Sequence, residues 1–135
     1  MTDTSNEVSP GVDRAEVLAL IRTALDEDLR YGPDITTVAT VPQDAVATAS
    51  VVSRQFGTVA GLDVGLLVLD EVIGATGYSI VHRIEDGSTV EPGHTVLTVE
   101  APTRGLLTAE RTMLNIVCHL SGIATATAAW VAEVA

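Results

Sequence analysis

The side chains with the most chemistry to offer in this chain lie on one short run. Arg104, Thr108, Arg111 and Asn115 recur at i, i+4, i+7 and i+11, a spacing that lines them along one side of an α-helix. Beside them Leu106, Ala109, Met113, Ile116 and Leu120 form an apolar face. Arg104 falls in the first turn of that helix, where free backbone N–H groups and the positive end of the helix dipole favour an anion. Its planar guanidinium adds a fork of donors that matches a carboxylate or a phosphate. One charge-assisted contact of that kind contributes about 1.5–3 kcal/mol. From spacing alone, the commoner meaning of such a stripe is a solvated helix face on which Arg111 pairs with an acid. Both readings stand on these residues.

The other chemistry-bearing residues assemble nothing comparable. His82, His94 and His119 lack the i, i+4 spacing of a helical metal site and read as surface or internally satisfied imidazoles. Cys118 has no base beside it and reads as a small buried hydrophobe. Asp26, Glu27 and Asp28 are consecutive helical positions, so they splay around the axis and cannot converge on one ion. Asp34-Ile35-Thr36-Thr37 reads as an Asx-type turn or helix cap. Glu85–Glu100 (EDGSTVEPGHTVLTVE) makes a double glycine turn that resembles the barrel-sandwich motif of biotinyl and lipoyl carriers. Such carriers need a lysine at a hairpin tip, and the sequence contains none. The segment is therefore expected to be a structural, hammerhead-like element. No catalytic residue and no metal ligand is assigned to this chain.

The composition narrows the class of protein. The 135 residues carry 18 acidic and 7 basic side chains, a net charge of −11, and every basic residue is arginine. Hydrophobic residues make up 47% but aromatics only 3%, and mean hydropathy is +0.36. This is a globular chain of one domain with an aliphatic core. Its acidity and lack of aromatic platforms exclude nucleic-acid binding and an anionic membrane surface. A single cysteine forms no internal disulfide and suits a reducing cytoplasm. Met1–Val12 is polar and acidic, unlike a secretory signal. Asp63, Glu110 and Arg111 are expected to interrupt the apolar stretches before the roughly 18 residues of a membrane span.

The elements that must position the arginine stripe follow from periodicity. Residues 1–12 read as a flexible leader punctuated by Pro10-Gly11. Asp13, three before Glu16, caps a helix carrying Val17, Leu18, Ile21, Leu25 and Leu29, which Gly32-Pro33 stops. Short β-branched runs at 45–53, 57–60, 78–84 and 95–99 predict strands. Residues 62–73 predict a helix closed by Gly74. From about Arg104 the pattern is helical to the end, with one break at Ser121-Gly122. Strands mixed with helices without regular alternation predict an α+β sandwich, a small sheet with helices on one side. The last helix, Ala124–Ala135, stops without a Gly, Asn or basic cap, which reads as a chain cut from something longer.

Several of these segments, in this order, resemble quinolinate phosphoribosyltransferase, also called nicotinate-nucleotide pyrophosphorylase (carboxylating). They are Asp28-Leu29 with Gly32-Pro33-Asp34-Ile35-Thr36-Thr37, Thr103-Arg104-Gly105-Leu106-Leu107, Glu110-Arg111-Thr112, Leu114-Asn115, and Leu120 to Thr125 (LSGIAT). Val59-Ala60-Gly61 and the double turn also fit. The resemblance implies conversion of quinolinate and phosphoribosyl pyrophosphate, with Mg2+, to nicotinate mononucleotide, pyrophosphate and CO2 in NAD biosynthesis. It implies an N-terminal α/β sandwich over 13–120, with 121–135 opening the helix that leads to an open α/β barrel absent from this sequence. It further implies a homodimer or higher oligomer in which Arg104 reaches a substrate carboxylate across the interface, with Arg111 and Asn115 supporting its helix or that interface. The barrel would hold the Mg2+, so this chain alone is expected to be inactive. The alternatives are a molybdenum-associated homologue of the same superfamily and a non-catalytic binding or assembly module.

Overall fold

A computed structural model describes the backbone of residues 7–9 and all of residues 11–30 and 39–135. The Asp34–Thr37 turn and the Gly32-Pro33 helix stop lie outside these residues. Two short strands, β1 (Glu7–Ser9) and β2 (Val12–Asp13), pair antiparallel and lead into α1 (Arg14–Asp28). The expected leader is therefore in part a ribbon. Asp13 caps α1 as its spacing predicts, its carboxylate accepting the Ala15 N–H at 3.0 Å. Beyond lie β3 (Val46–Val52), β4 (Gly57–Thr58), α2 (Leu62–Ile73), β5 (Ser79–Arg83), β6 (Thr89–Val90), β7 (Thr95–Pro102) and α3 (Thr103–Val134).

The main sheet has the order β3-β7-β5, antiparallel throughout, and β4 pairs separately with β6. β7 is central, and its alternation places Leu97, Val99 and Ala101 inward. Their outward neighbours Thr98 and Glu100 face Ser50 and Thr48 across the ladder, and the Ser50 and Thr98 hydroxyls bond at 2.8 Å. The inward Leu97 and Val99 share one core with α2, whose Leu62, Val68 and Leu69 are almost wholly buried, and with one face of α1 and of α3. The contributing residues are Val17, Ile21 and Leu25 from α1, and Ala109, Met113 and Val117 from α3. A small antiparallel sheet with helices on one side is the α+β architecture that the pattern predicts.

α2 and α3 run antiparallel and closely packed, because glycines face bulky side chains. A Cβ on Gly61 would stand 2.6 Å from Leu120 Cδ1, and one on Gly105 would stand 2.5 Å from Ile73 Cγ1. Between α1 and α2, Arg22 holds Glu71 bidentately at 3.0 and 3.1 Å, which keeps that carboxyl below its ordinary range. Burial, with the bond its hydroxyl donates to Asp70 at 2.7 Å, pushes the Tyr78 phenol up. Asp86, from the double turn, accepts the Gly61 and Leu62 N–H groups at 2.9 and 3.1 Å. It thereby caps a helix whose own N-cap, Gly61, has no side chain to do so.

Two expectations about α3 are corrected. The helix runs unbroken through Ser121 and Gly122, where the sequence predicts a break. Its side chains explain the continuity. The Ser121 hydroxyl bonds both the N–H and the carbonyl of Ala60, and the Thr125 hydroxyl accepts the Thr58 N–H. The helix is thereby held against the β4 segment. The run from Thr112 to Ala132 also contains no Asp, Glu, Lys or Arg. By length and composition alone α3 is apolar enough to cross a membrane, contrary to the expected interruption. Its first half nonetheless belongs to the core described above.

Candidate functional site

Arg104 stands where β7 passes directly into α3. Pro102 occupies the N-cap position and offers no side-chain cap. The segment before β3 meets one backbone donor and one side-chain donor at this end. The Thr103 N–H donates to the Ala45 carbonyl at 2.9 Å, and the Arg104 Nε donates to the Val41 carbonyl at 2.8 Å. Arg104 is half-buried. The next residue, Gly105, lets the start of α3 approach Ile73 at the end of α2, which fixes the height of the arginine over the domain. Thr108 returns its hydroxyl to the Arg104 carbonyl at 3.0 Å, a bond within the helix. A guanidinium on the first turn of a 32-residue helix is a built-in preference for a carboxylate or phosphate in an otherwise acidic domain.

The rest of the stripe faces a different neighbour. The Arg111 Nη1 reaches Asp28 Oδ1 on α1 at 3.3 Å, an exposed pair. Asn115, one turn on, is exposed. Both line a shallow cleft of about 300 Å³ with Ala24, Glu27, Thr112 and Ile116, and Arg104 does not. The structure thus separates the three sequence candidates, with Arg104 against the segment before β3, Arg111 paired with Asp28 of α1, and Asn115 exposed beside it in the cleft. The ion pair between Arg111 and an acid is the bland reading of this stripe, realised for one of its members. Such a surface pair contributes about 0–1 kcal/mol.

The histidines take local roles or stand at the surface. His82 Nε2 lies 3.2 Å from the Thr95 carbonyl, His94 Nδ1 accepts the Glu91 N–H at 3.1 Å, and His119 is exposed. Cys118 is exposed, which corrects the expectation of a buried hydrophobe. It follows the buried Val117 directly, about 100° further around α3. Among the described residues no group of three or more His, Cys, Asp or Glu side chains is placed to hold a metal ion. The residues that do most to shape the domain, Asp86, Ser121 and Thr125, carry no spacing signal, since their partners are 24 to 67 positions distant.

The antiparallel sheet backed by helices, with an arginine at its strand-to-helix junction, has the form of an α+β N-terminal domain. The family model described as "Quinolinate phosphoribosyl transferase, N-terminal domain" matches residues 34–121, and the chain belongs to that family. It is 64% identical over 111 residues to nicotinate-nucleotide pyrophosphorylase (carboxylating) of Mycobacterium leprae, covering 82% of this chain and 39% of the relative. The chloroplastic enzyme of that name from Arabidopsis thaliana is 30% identical over 131 residues, covering 93% and 37% respectively. Among solved structures, NadC from Streptococcus pyogenes superposes with a TM-score of 0.82 at 32% identity, over 91% of this chain and 43% of that one. The chain therefore spans about two fifths of the length of these relatives.

Proposed function

We propose that this chain is the N-terminal part of a quinolinate phosphoribosyltransferase, the enzyme that makes nicotinate mononucleotide, pyrophosphate and CO2 from quinolinate and phosphoribosyl pyrophosphate in NAD biosynthesis. The observation that carries the reading is Arg104, tethered by its Nε at the head of α3 in a domain of this family. In the proposed enzyme it pairs with a carboxylate of quinolinate bound in the barrel of a second subunit. Arg111, paired with Asp28 of α1, and Asn115 beside it support the helix of Arg104 or the interface. The relatives are named for this reaction, which favours it over a molybdenum-associated homologue or a free-standing module.

The rest of the machinery belongs to the part of the enzyme outside this sequence. Mg2+ would neutralise the pyrophosphate of the cosubstrate, and the described residues here present no acidic cluster to hold it, so no step on this chain is assigned to it. Ile123, Trp130, Val131 and Val134 on the free end of α3 are exposed, Trp130 by 69%. They suit burial against that remaining part. A homodimer, soluble and cytoplasmic, completes the proposal.

The test is an assay of two proteins: this chain alone, and a chimera in which it replaces the matching segment of the M. leprae relative. The chimera is expected to form nicotinate mononucleotide and the chain alone to form none. Turnover by the isolated chain, or a folded chimera without activity, would overturn the reading.

A further inference from the structure

Two contacts at the head of α3 come from one short segment. Val41 lends its carbonyl to the Arg104 Nε, and Ala45, four residues on, lends its carbonyl to the Thr103 N–H. Between them the chain closes a turn, in which the Ala45 N–H donates to the Pro42 carbonyl at 3.1 Å. Both ends of this turn therefore grip the head of α3, one by side chain and one by backbone. Pro42 also restricts the residue before it. Its ring disfavours the helical region for Val41 and narrows the directions in which the Val41 carbonyl can point. Pro42, Gln43 and Asp44 themselves are exposed, so the turn adds little to the core.

We propose that the Val41–Ala45 turn is a positioning element of the Arg104 guanidinium, with Pro42 its key residue; this rests on the reading of Arg104 as a substrate-binding group. A guanidinium on a long, flexible stem loses much of its value if it must be ordered on each binding event. The Val41 carbonyl orders it in advance. While the bond holds, a side-on grip that uses Nε is closed to an incoming carboxylate, so the turn sets the angle of approach as well as the position. Neither Val41 nor Pro42 touches substrate. They act through Arg104.

The experiment is a double-mutant cycle on quinolinate KM in the chimera, with Pro42→Gly, Arg104→Ala and the pair. Pro42→Gly alone is expected to raise quinolinate KM by about 5- to 10-fold, the effect of a displaced binding group. It should leave kcat and the KM for phosphoribosyl pyrophosphate near wild type. Added to Arg104→Ala it should change nothing further, because the group it positions is gone. Asp44→Gly, which loosens the same turn at an exposed position, provides a second variant and is expected to shift quinolinate KM in the same direction. If Arg104→Ala raises KM and the turn variants do not, or if the effects in the pair simply add, the positioning role is wrong and the arginine reading survives. If Arg104→Ala itself has no effect, the reading beneath it fails.

Discussion

Arg104→Ala in the chimera is expected to raise the KM for quinolinate by about 10-fold or more, corresponding to the loss of about 1.5–3 kcal/mol of charge-assisted binding. The turnover number at saturating quinolinate should fall less, as expected of a group that holds the substrate alike before and during the reaction. The KM for phosphoribosyl pyrophosphate should be unchanged. The substitution also removes the bond to the Val41 carbonyl, and the stability lost with it is about 0.5–1.5 kcal/mol. The fold is retained at that cost, because the core beneath α3 rests on Ala109, Met113 and Val117. Arg104→Lys keeps the charge but not the planar fork, and is expected to recover only part of the affinity. Unchanged quinolinate kinetics in a folded Arg104→Ala protein would remove the residue from the binding site.

The largest effect on stability is expected at Gly61. This residue has φ +86°, and a Cβ there would meet Leu120 Cδ1 at 2.6 Å. Its N–H is one of the two held by Asp86, so it stands at the hinge of β4, the double turn and the start of α2. Gly61→Ala combines a left-handed backbone with overpacking, together roughly 2–5 kcal/mol, a large share of the stability of a small domain. Gly122→Ala provides the contrast. That glycine lies inside α3 with nothing near its missing Cβ, and alanine there is expected to stabilise by about 0.5–1 kcal/mol. Urea melts of the two variants read both signs. A Gly61→Ala protein as stable as the parent would mean that α2 and α3 are not packed as described.

The sequence reveals the parts of the domain whose signals are local. α2 spans Leu62–Ile73 and ends at Gly74, as its periodicity and glycine stop predict, and Asp13 caps α1. The strands over 46–52 and 79–83 follow their β-branched runs. The strand predicted for 95–99 continues to Pro102, because β3 stays paired with it as far as Val46. What periodicity cannot show is which distant groups meet. Ser121 reads as a helix break because serine and glycine are poor helix formers, yet its hydroxyl is committed to Ala60. A tertiary contact therefore overrides local propensity. Cys118 reads as buried because it lies in an apolar run, but it stands about 100° around α3 from the buried Val117, on an exposed side of the helix.

The same division holds at the candidate site. Spacing places Arg104, Arg111 and Asn115 on one stripe and resemblance singles out the first of them. Only the three-dimensional arrangement separates Arg104, held by Val41, from Arg111, held by Asp28.

The central claim, that Arg104 serves a site in another subunit, is tested most directly by mixing two impaired chimeras. One carries Arg104→Ala; the other has an intact N-terminal domain and an inactivated second half. In a two-fold dimer built across the interface, half of the sites in each mixed pair combine the sound parts of both. Activity at low quinolinate should then recover to about a quarter of wild type on random reassociation. Recovery to that level is the result expected, and no recovery in verified mixed dimers would show that the arginine serves its own subunit or none.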